Sequence, residues 1–117
     1  MEPLVLLFVS DRPVLSSLQF ALAVEGWTVA EGGVAGSDPS FAAALLVDQG
    51  AVAAGLAILE ALRESGCAAP AILLATNPTR LERAQATAAG AILIEKPLLG
   101  DELARALRAA VEGRRAA

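Results

Sequence analysis

The chain has 117 residues, enough for one domain with one core. It is 56% hydrophobic but only 3% aromatic, with a mean hydropathy of +0.58, so its core must be built from Ala, Leu, Val and Ile. No apolar run approaches the ~18 residues that cross a bilayer, and a net charge of −4 argues against nucleic acid as a partner. Met1-Glu2-Pro3 lacks the basic flank of a signal peptide, and the unpaired Cys67 fits a reducing, cytoplasmic setting. With no His and no second Cys, zinc sites and histidine-based triads are excluded.

In chain order, Leu4–Val9 has the length and composition of a buried strand. Asp11-Arg12-Pro13 then caps and starts a helix, with Val14, Leu15, Leu18 and Leu22 as its inward stripe and Gly26 as the turn after it. Trp27–Ala30 is the second strand. Glu31–Phe41 leaves room for one short helix at most, over Pro39–Ala43, so the second crossover is expected to have a short or missing helix. Ala44–Val47 is the third strand, followed by a helix over Leu56–Glu64 with Leu56, Leu59 and Leu62 inward. After the fourth strand, Ala71–Ala75, Asn77-Pro78 opens a helix over Thr79–Ala89 that Gly90 ends. Ala91–Ile94 is the fifth strand. Asp101 opens a last helix, with Leu103, Leu107 and Val111 inward and Arg105 and Arg108 outward. The domain is read as residues 1–113, with 114–117 as a tail or the start of a linker.

These runs are apolar at successive positions, as strands buried on both faces should be. Strands alternating with helical segments imply an α/β fold, a doubly wound parallel sheet covered on both sides. In such a sheet ligands bind beyond the carboxyl ends of the strands, where the strand order reverses. The polar residues fall there with unusual regularity: Ser10-Asp11, Asp48, Thr76-Asn77 and Glu95-Lys96. Asp11 and Asn77 also precede helices, which alone would explain them as caps. An Asp directly after Leu45-Leu46-Val47 needs a partner if buried. Lys96 is the only lysine among nine basic residues.

Taken in order, Asp11, Asp48, Ala75-Thr76 and Gly90-Ala91 leading to Lys96-Pro97 make the chain resemble the receiver domain of two-component response regulators along nearly its whole length. The resemblance implies a flavodoxin-like (CheY-like) five-stranded sheet of order 2-1-3-4-5. It implies that Asp48 is the phosphoacceptor and that Asp11, Asp48 and the Gly50 backbone hold Mg²⁺. It further implies that Thr76 and Lys96 contact the phosphoryl group and that Lys96-Pro97 is a cis peptide. The partner would be a histidine kinase or phosphotransfer protein. The domain would be no enzyme beyond self-phosphorylation and self-dephosphorylation. A homodimer would form through the fourth helix, fifth strand and fifth helix, a face that includes Arg80, Arg83, Leu98, Leu99, Arg105 and Arg108.

The chemistry suits these residue types. Transfer to a carboxylate needs charge neutralisation and positioned donors on the phosphoryl oxygens, and lysine serves there as a point charge. Several departures bear on it. Ser10 stands where most members have a second acid, so it reaches the ion only through water and Mg²⁺ is held weakly. Gln49-Gly50-Ala51-Val52 replaces the usual Met-Pro turn after the acceptor, and Leu93 replaces the aromatic residue of the usual switch.

Two alternatives follow. The chain could be a pseudo-receiver, a phosphorylation-independent interaction module in which Asp48 is balanced by Lys96. It could instead be a small nucleotide-binding enzyme. That reading rests only on Gly32-Gly33-Val34-Ala35-Gly36, which follows the second strand and lacks the dinucleotide spacing.

Overall fold

The computed structural model describes residues 3–33, 41–98 and 101–116. Five strands, β1 (Leu4–Val9), β2 (Thr28–Glu31), β3 (Ala44–Asp48), β4 (Ala71–Ala75) and β5 (Ala91–Glu95), form one parallel sheet in the order β2-β1-β3-β4-β5. The helices among the described residues are α1 (Arg12–Val24), α2 (Val52–Glu64), α3 (Arg80–Ala88) and α4 (Glu102–Ala116). This is the doubly wound sheet that the alternating pattern implies, in the flavodoxin-like order that the resemblance implies.

The uniform apolarity of the central strands follows from where their side chains go. Successive residues of a strand point to opposite faces, and here both faces are covered. Val5, Leu7 and Val9 enter a core with Leu15, Leu18 and Leu22 of α1 and Leu103, Leu107 and Val111 of α4. Leu6, Leu45, Val47 and Leu73 enter a second core with Val52, Leu59 and Leu62 of α2 and Ala86 of α3. All five residues of β3 and all five of β4 are buried. Trp27 packs into the α1–α4 core just ahead of β2, at the end of the sheet away from the polar cluster.

Several boundaries differ from the sequence reading. β2 starts and ends one residue later than Trp27–Ala30, and β3 and β5 each continue one residue further, into Asp48 and Glu95. α2 begins at Val52, four residues before Leu56, from an extended Ala51 that offers no side-chain cap. Without a capping residue the sequence carries no start signal there. The cap of α3 is Thr79, outside the helix rather than its first residue. Its hydroxyl accepts from the Glu82 amide while Glu82 accepts from the Thr79 amide, a reciprocal capping box.

No helix joins β2 to β3 among the described residues. Pro39 and Ser40 of the expected short helix lie outside them, and Phe41–Ala43 is a turn leading into β3. Gly32 and Gly33 leave β2 at the edge of the α2–α3 core. A Cβ on Gly32 would lie 2.4 Å from the Phe8 ring, so its place is set by packing, while Val34-Ala35-Gly36 lies outside the described residues.

Candidate functional site

β1 and β3 are neighbours although β2 separates them in the chain, so the strand order reverses between them. Backbone bonds beyond the ladder bind the two strand ends: the Ser10 amide donates to the Asp48 carbonyl at 3.0 Å. On the other side the Lys96 amide donates to the Ala75 carbonyl at 2.7 Å. Ser10, Asp48, Thr76 and Lys96 are thereby fixed at one end of the sheet.

Among the described residues Asp48 is the one charged residue that is buried. Burial of a lone carboxylate is costly, and Asp48 is provided for. Its Oδ2 accepts from Lys96 Nζ at 2.9 Å and its Oδ1 from the Gly50 amide at 3.3 Å. The side chain of Asp48 is 7% exposed and that of Lys96 30%, so the ammonium reaches inward from a half-open position while the carboxylate is enclosed. Lysine's long apolar stem allows that. The Lys96-Pro97 peptide is cis.

Asp11 stands differently. It is exposed and acts as the N-cap of α1, its Oδ1 accepting from the Val14 amide at 3.2 Å. Ser10 and Thr76 are also exposed. Asn77, next to Thr76, has φ +50°, a left-handed conformation that Asn tolerates better than most residues. Leu93 is half-buried and packs against the α2–α3 core, so this position works as aliphatic filling.

The loop after β3 carries a residue whose part the sequence did not reveal. Gln49 is half-buried, and its side-chain amide donates to the Phe8 carbonyl at 2.9 Å. A glutamine in a polar loop reads as solvated, and no local signal points to a partner 41 residues away. Gly50 then takes φ +84°, where a side chain would be strained.

The donor set can be tested against Mg²⁺. It offers the carboxylates of Asp48 and Asp11 and the Gly50 carbonyl, to which no described residue donates. No group of three or more acidic or metal-ligating side chains occurs among the described residues. One or two carboxylates with a carbonyl and several retained waters is a normal Mg²⁺ environment, so the residues fit a hydrated, weakly held ion.

On the face expected to dimerise, here α3, β5 and α4, three arginines are paired within the chain. Arg83 pairs with Glu95 at 2.9 Å, Arg105 with Asp101 at 3.0 Å, and Arg108 with Glu25 at 3.7 Å. Leu98 packs against the α1–α4 core, Arg80 is exposed, and Leu99 lies outside the described residues. Exposed large apolar side chains lie both on this face, Leu81 of α3 and Ile92 of β5, and on α1, Phe20 and Val24. A depression of about 610 Å³ between α2 and α3, lined by Leu56, Glu60 and Gln85 among others, shares no residue with the strand-end pocket.

No protein-family model and no curated protein matches the chain. Solved structures do. A CheY-like response regulator receiver domain from Methanospirillum hungatei superposes with a TM-score of 0.82 at 19% identity, covering 98% of each chain. A response regulator from Thermotoga maritima gives 0.77 at 18% identity over 96% of this chain and 99% of the other. A putative pilus assembly-related protein from Burkholderia pseudomallei gives 0.76 at 20% identity, over 94% and 90%. The chain therefore has the fold of CheY-like response-regulator receiver domains. No helix among the described residues is long and apolar enough to cross a membrane.

Proposed function

We propose that the protein is a two-component receiver that accepts a phosphoryl group on Asp48 from a histidine kinase or phosphotransfer protein and acts through its surface. The observation that carries this reading is the buried Asp48 carboxylate, held at the reversal point of the sheet by the chain's only lysine. A carboxylate that served only as a strand end would need neither enclosure nor a cation brought from β5.

In the reaction an Asp48 oxygen attacks the phosphorus of a phosphohistidine. The new P–O bond forms as the P–N bond breaks, and the imidazole leaves with the bonding electron pair. Lys96 is placed to exchange its contact with Oδ2 for one with a phosphoryl oxygen, where a positive charge stabilises the transferring group. The Gly50 amide keeps the other carboxylate oxygen in place. Thr76, exposed at the neighbouring strand end, offers a hydroxyl to the same anion. Mg²⁺ held by Asp11, Asp48 and the Gly50 carbonyl would supply neutralisation of the charge that gathers on the phosphoryl oxygens. The site would support self-phosphorylation and self-dephosphorylation but no other catalysis. A receiver of this kind works in the cytoplasm.

The second reading, a pseudo-receiver, is favoured by Ser10 in place of a second acid and by the aliphatic Leu93. Incubation with acetyl phosphate and high Mg²⁺, read by intact mass, separates the two. We expect the gain of one phosphoryl group, lost in Asp48→Asn. No Asp48-dependent gain would leave the pseudo-receiver. If the protein self-associates through α3, β5 and α4, Arg83→Glu should dissociate it and Phe20→Gln should not. The opposite result would move the contact to α1.

A further inference from the structure

We propose that Gln49 is a positioning residue that clamps the acceptor loop, fixing the Gly50 peptide unit on Asp48 and thereby setting how well the site takes a cation. The proposal rests on the receiver reading for its chemistry, and its geometry stands on its own.

Three bonds hold the peptide that follows β3. The Asp48 carbonyl accepts from the Ser10 amide at 3.0 Å. The Gln49 side-chain amide reaches across to the Phe8 carbonyl at 2.9 Å. The Gly50 amide turns back onto Asp48 Oδ1 at 3.3 Å. Two of these bonds anchor the loop to β1, which is also the strand that delivers Ser10 and Asp11. Two side chains take part in these bonds, Asp48 and Gln49; Asp48 is the acceptor itself, so Gln49 is the one that can be altered without changing either the backbone or the acceptor.

The turn needs an anchor. Gly50 is exposed and has φ +84°, and glycine reaches many other conformations at little cost. The next residue, Ala51, is the N-cap of α2 and offers no side-chain cap, so on the helical side its carbonyl, which accepts from the Gly55 amide at 3.2 Å, is the one tie among the described residues. A half-buried amide bonded to a strand carbonyl supplies that restraint from the other side. With Gly50 held, its amide stays on Asp48 and its carbonyl, to which no described residue donates, keeps one orientation.

The residue type matters. Glutamine donates without carrying charge, so it adds no competing ligand beside Asp48. Glutamate would be the same size, but its carboxylate would face the Phe8 carbonyl and repel it. Methionine would match the length and remove the donor.

The test compares Gln49→Met and Gln49→Glu with the unaltered protein in three readouts. Hydrogen exchange at the Gly50 amide, followed by NMR in metal-free protein, should quicken in both variants by roughly 2- to 10-fold, the equivalent of one ordinary hydrogen bond. The Mg²⁺ midpoint, read from the Gly50 and Asp48 amide shifts, should rise by a similar factor in Gln49→Met. Thermal unfolding serves as the control, because a purely structural role would lower the melting temperature and leave the Mg²⁺ midpoint unmoved. Unchanged Gly50 exchange in Gln49→Met, or an unchanged midpoint despite faster exchange, overturns the proposal. If the unaltered protein shows no Mg²⁺ response at all, the receiver reading fails, while the exchange data still decide whether Gln49 clamps the loop.

Discussion

On the β3–β5 side of the pocket Asp48 is enclosed and held by Lys96 at 2.9 Å, whereas on the β1 side Ser10 and Asp11 face solvent and Asp11 caps a helix. The difference separates the two demands of phosphoryl transfer. The groups that would hold the acceptor and meet the incoming phosphoryl oxygens are built into the core. The groups that would hold a cation are fewer and are tied to local structure. Loss of one acid at Ser10 leaves the fold intact, because that side chain is exposed. Loss at Asp48 or Lys96 disturbs a buried pair. The pocket should therefore respond to substitution unequally, and the expected responses can be ranked.

The largest effect should come from Lys96→Met. Removing the ammonium leaves a carboxylate 7% exposed with, among the described residues, only the Gly50 amide as donor. Stranding a buried charge costs about 3 kcal/mol or more when the pair is fully enclosed. With Lys96 30% exposed, a loss of about 2–3 kcal/mol in urea unfolding is expected. Asp48→Asn should cost less, about 1 kcal/mol, because the freed ammonium can swing into water. If Asp48→Asn proves the more destabilising of the two, the acceptor side is not organised around the buried carboxylate.

On the β1 side the same measurement should give a smaller number with a different cause. Asp11→Ala removes the N-cap of α1 and should cost about 1 kcal/mol. Asp11→Asn keeps the capping oxygen, since Asn caps as well as Asp, and should stay within about 0.5 kcal/mol of the unaltered protein. Both should weaken Mg²⁺ binding, because both remove a carboxylate. Equal stability losses in the two variants would mean that the charge of Asp11, rather than its cap, matters to the fold.

How much of this was legible in the sequence follows from the range of each interaction. The five strands rest on uninterrupted apolar runs such as Leu45-Leu46-Val47 and Ile72-Leu73-Leu74, and burial on both faces needs only local composition, while their order came from the resemblance. The strand-end cluster was legible because topology gathers those positions wherever the side chains point. The reach of β3 into Asp48 was not, since a charged residue joins a buried strand only when a partner 48 residues away meets it. The part of Gln49 was hidden for the same reason. The start of α2 was missed because Ala51 carries no capping side chain. Thr79 had a usable signal, Thr-x-x-Glu, which the Asn77-Pro78 pair directly before it overshadowed.

The substitution that most sharpens the contrast is Ser10→Asp. Ser10 is exposed and its backbone amide, not its side chain, ties β1 to Asp48 at 3.0 Å. An Asp there keeps that bond and adds a third carboxylate beside Asp11 and Asp48. Ligand charge governs much of the affinity of an oxygen-donor site, so the Mg²⁺ midpoint should fall on the order of 10-fold. Stability should respond in the opposite sense and only slightly. Without Mg²⁺ the added charge repels its neighbours, and an exposed like-charge contact costs about 0.5 kcal/mol. With Mg²⁺ the order should invert, because a ligand that binds only the folded state stabilises it. Urea unfolding with and without Mg²⁺ reads both signs in one experiment. A variant that gains no Mg²⁺-dependent stability would show that the missing acid is not what limits the site, and attention would pass to the loop that carries Gly50.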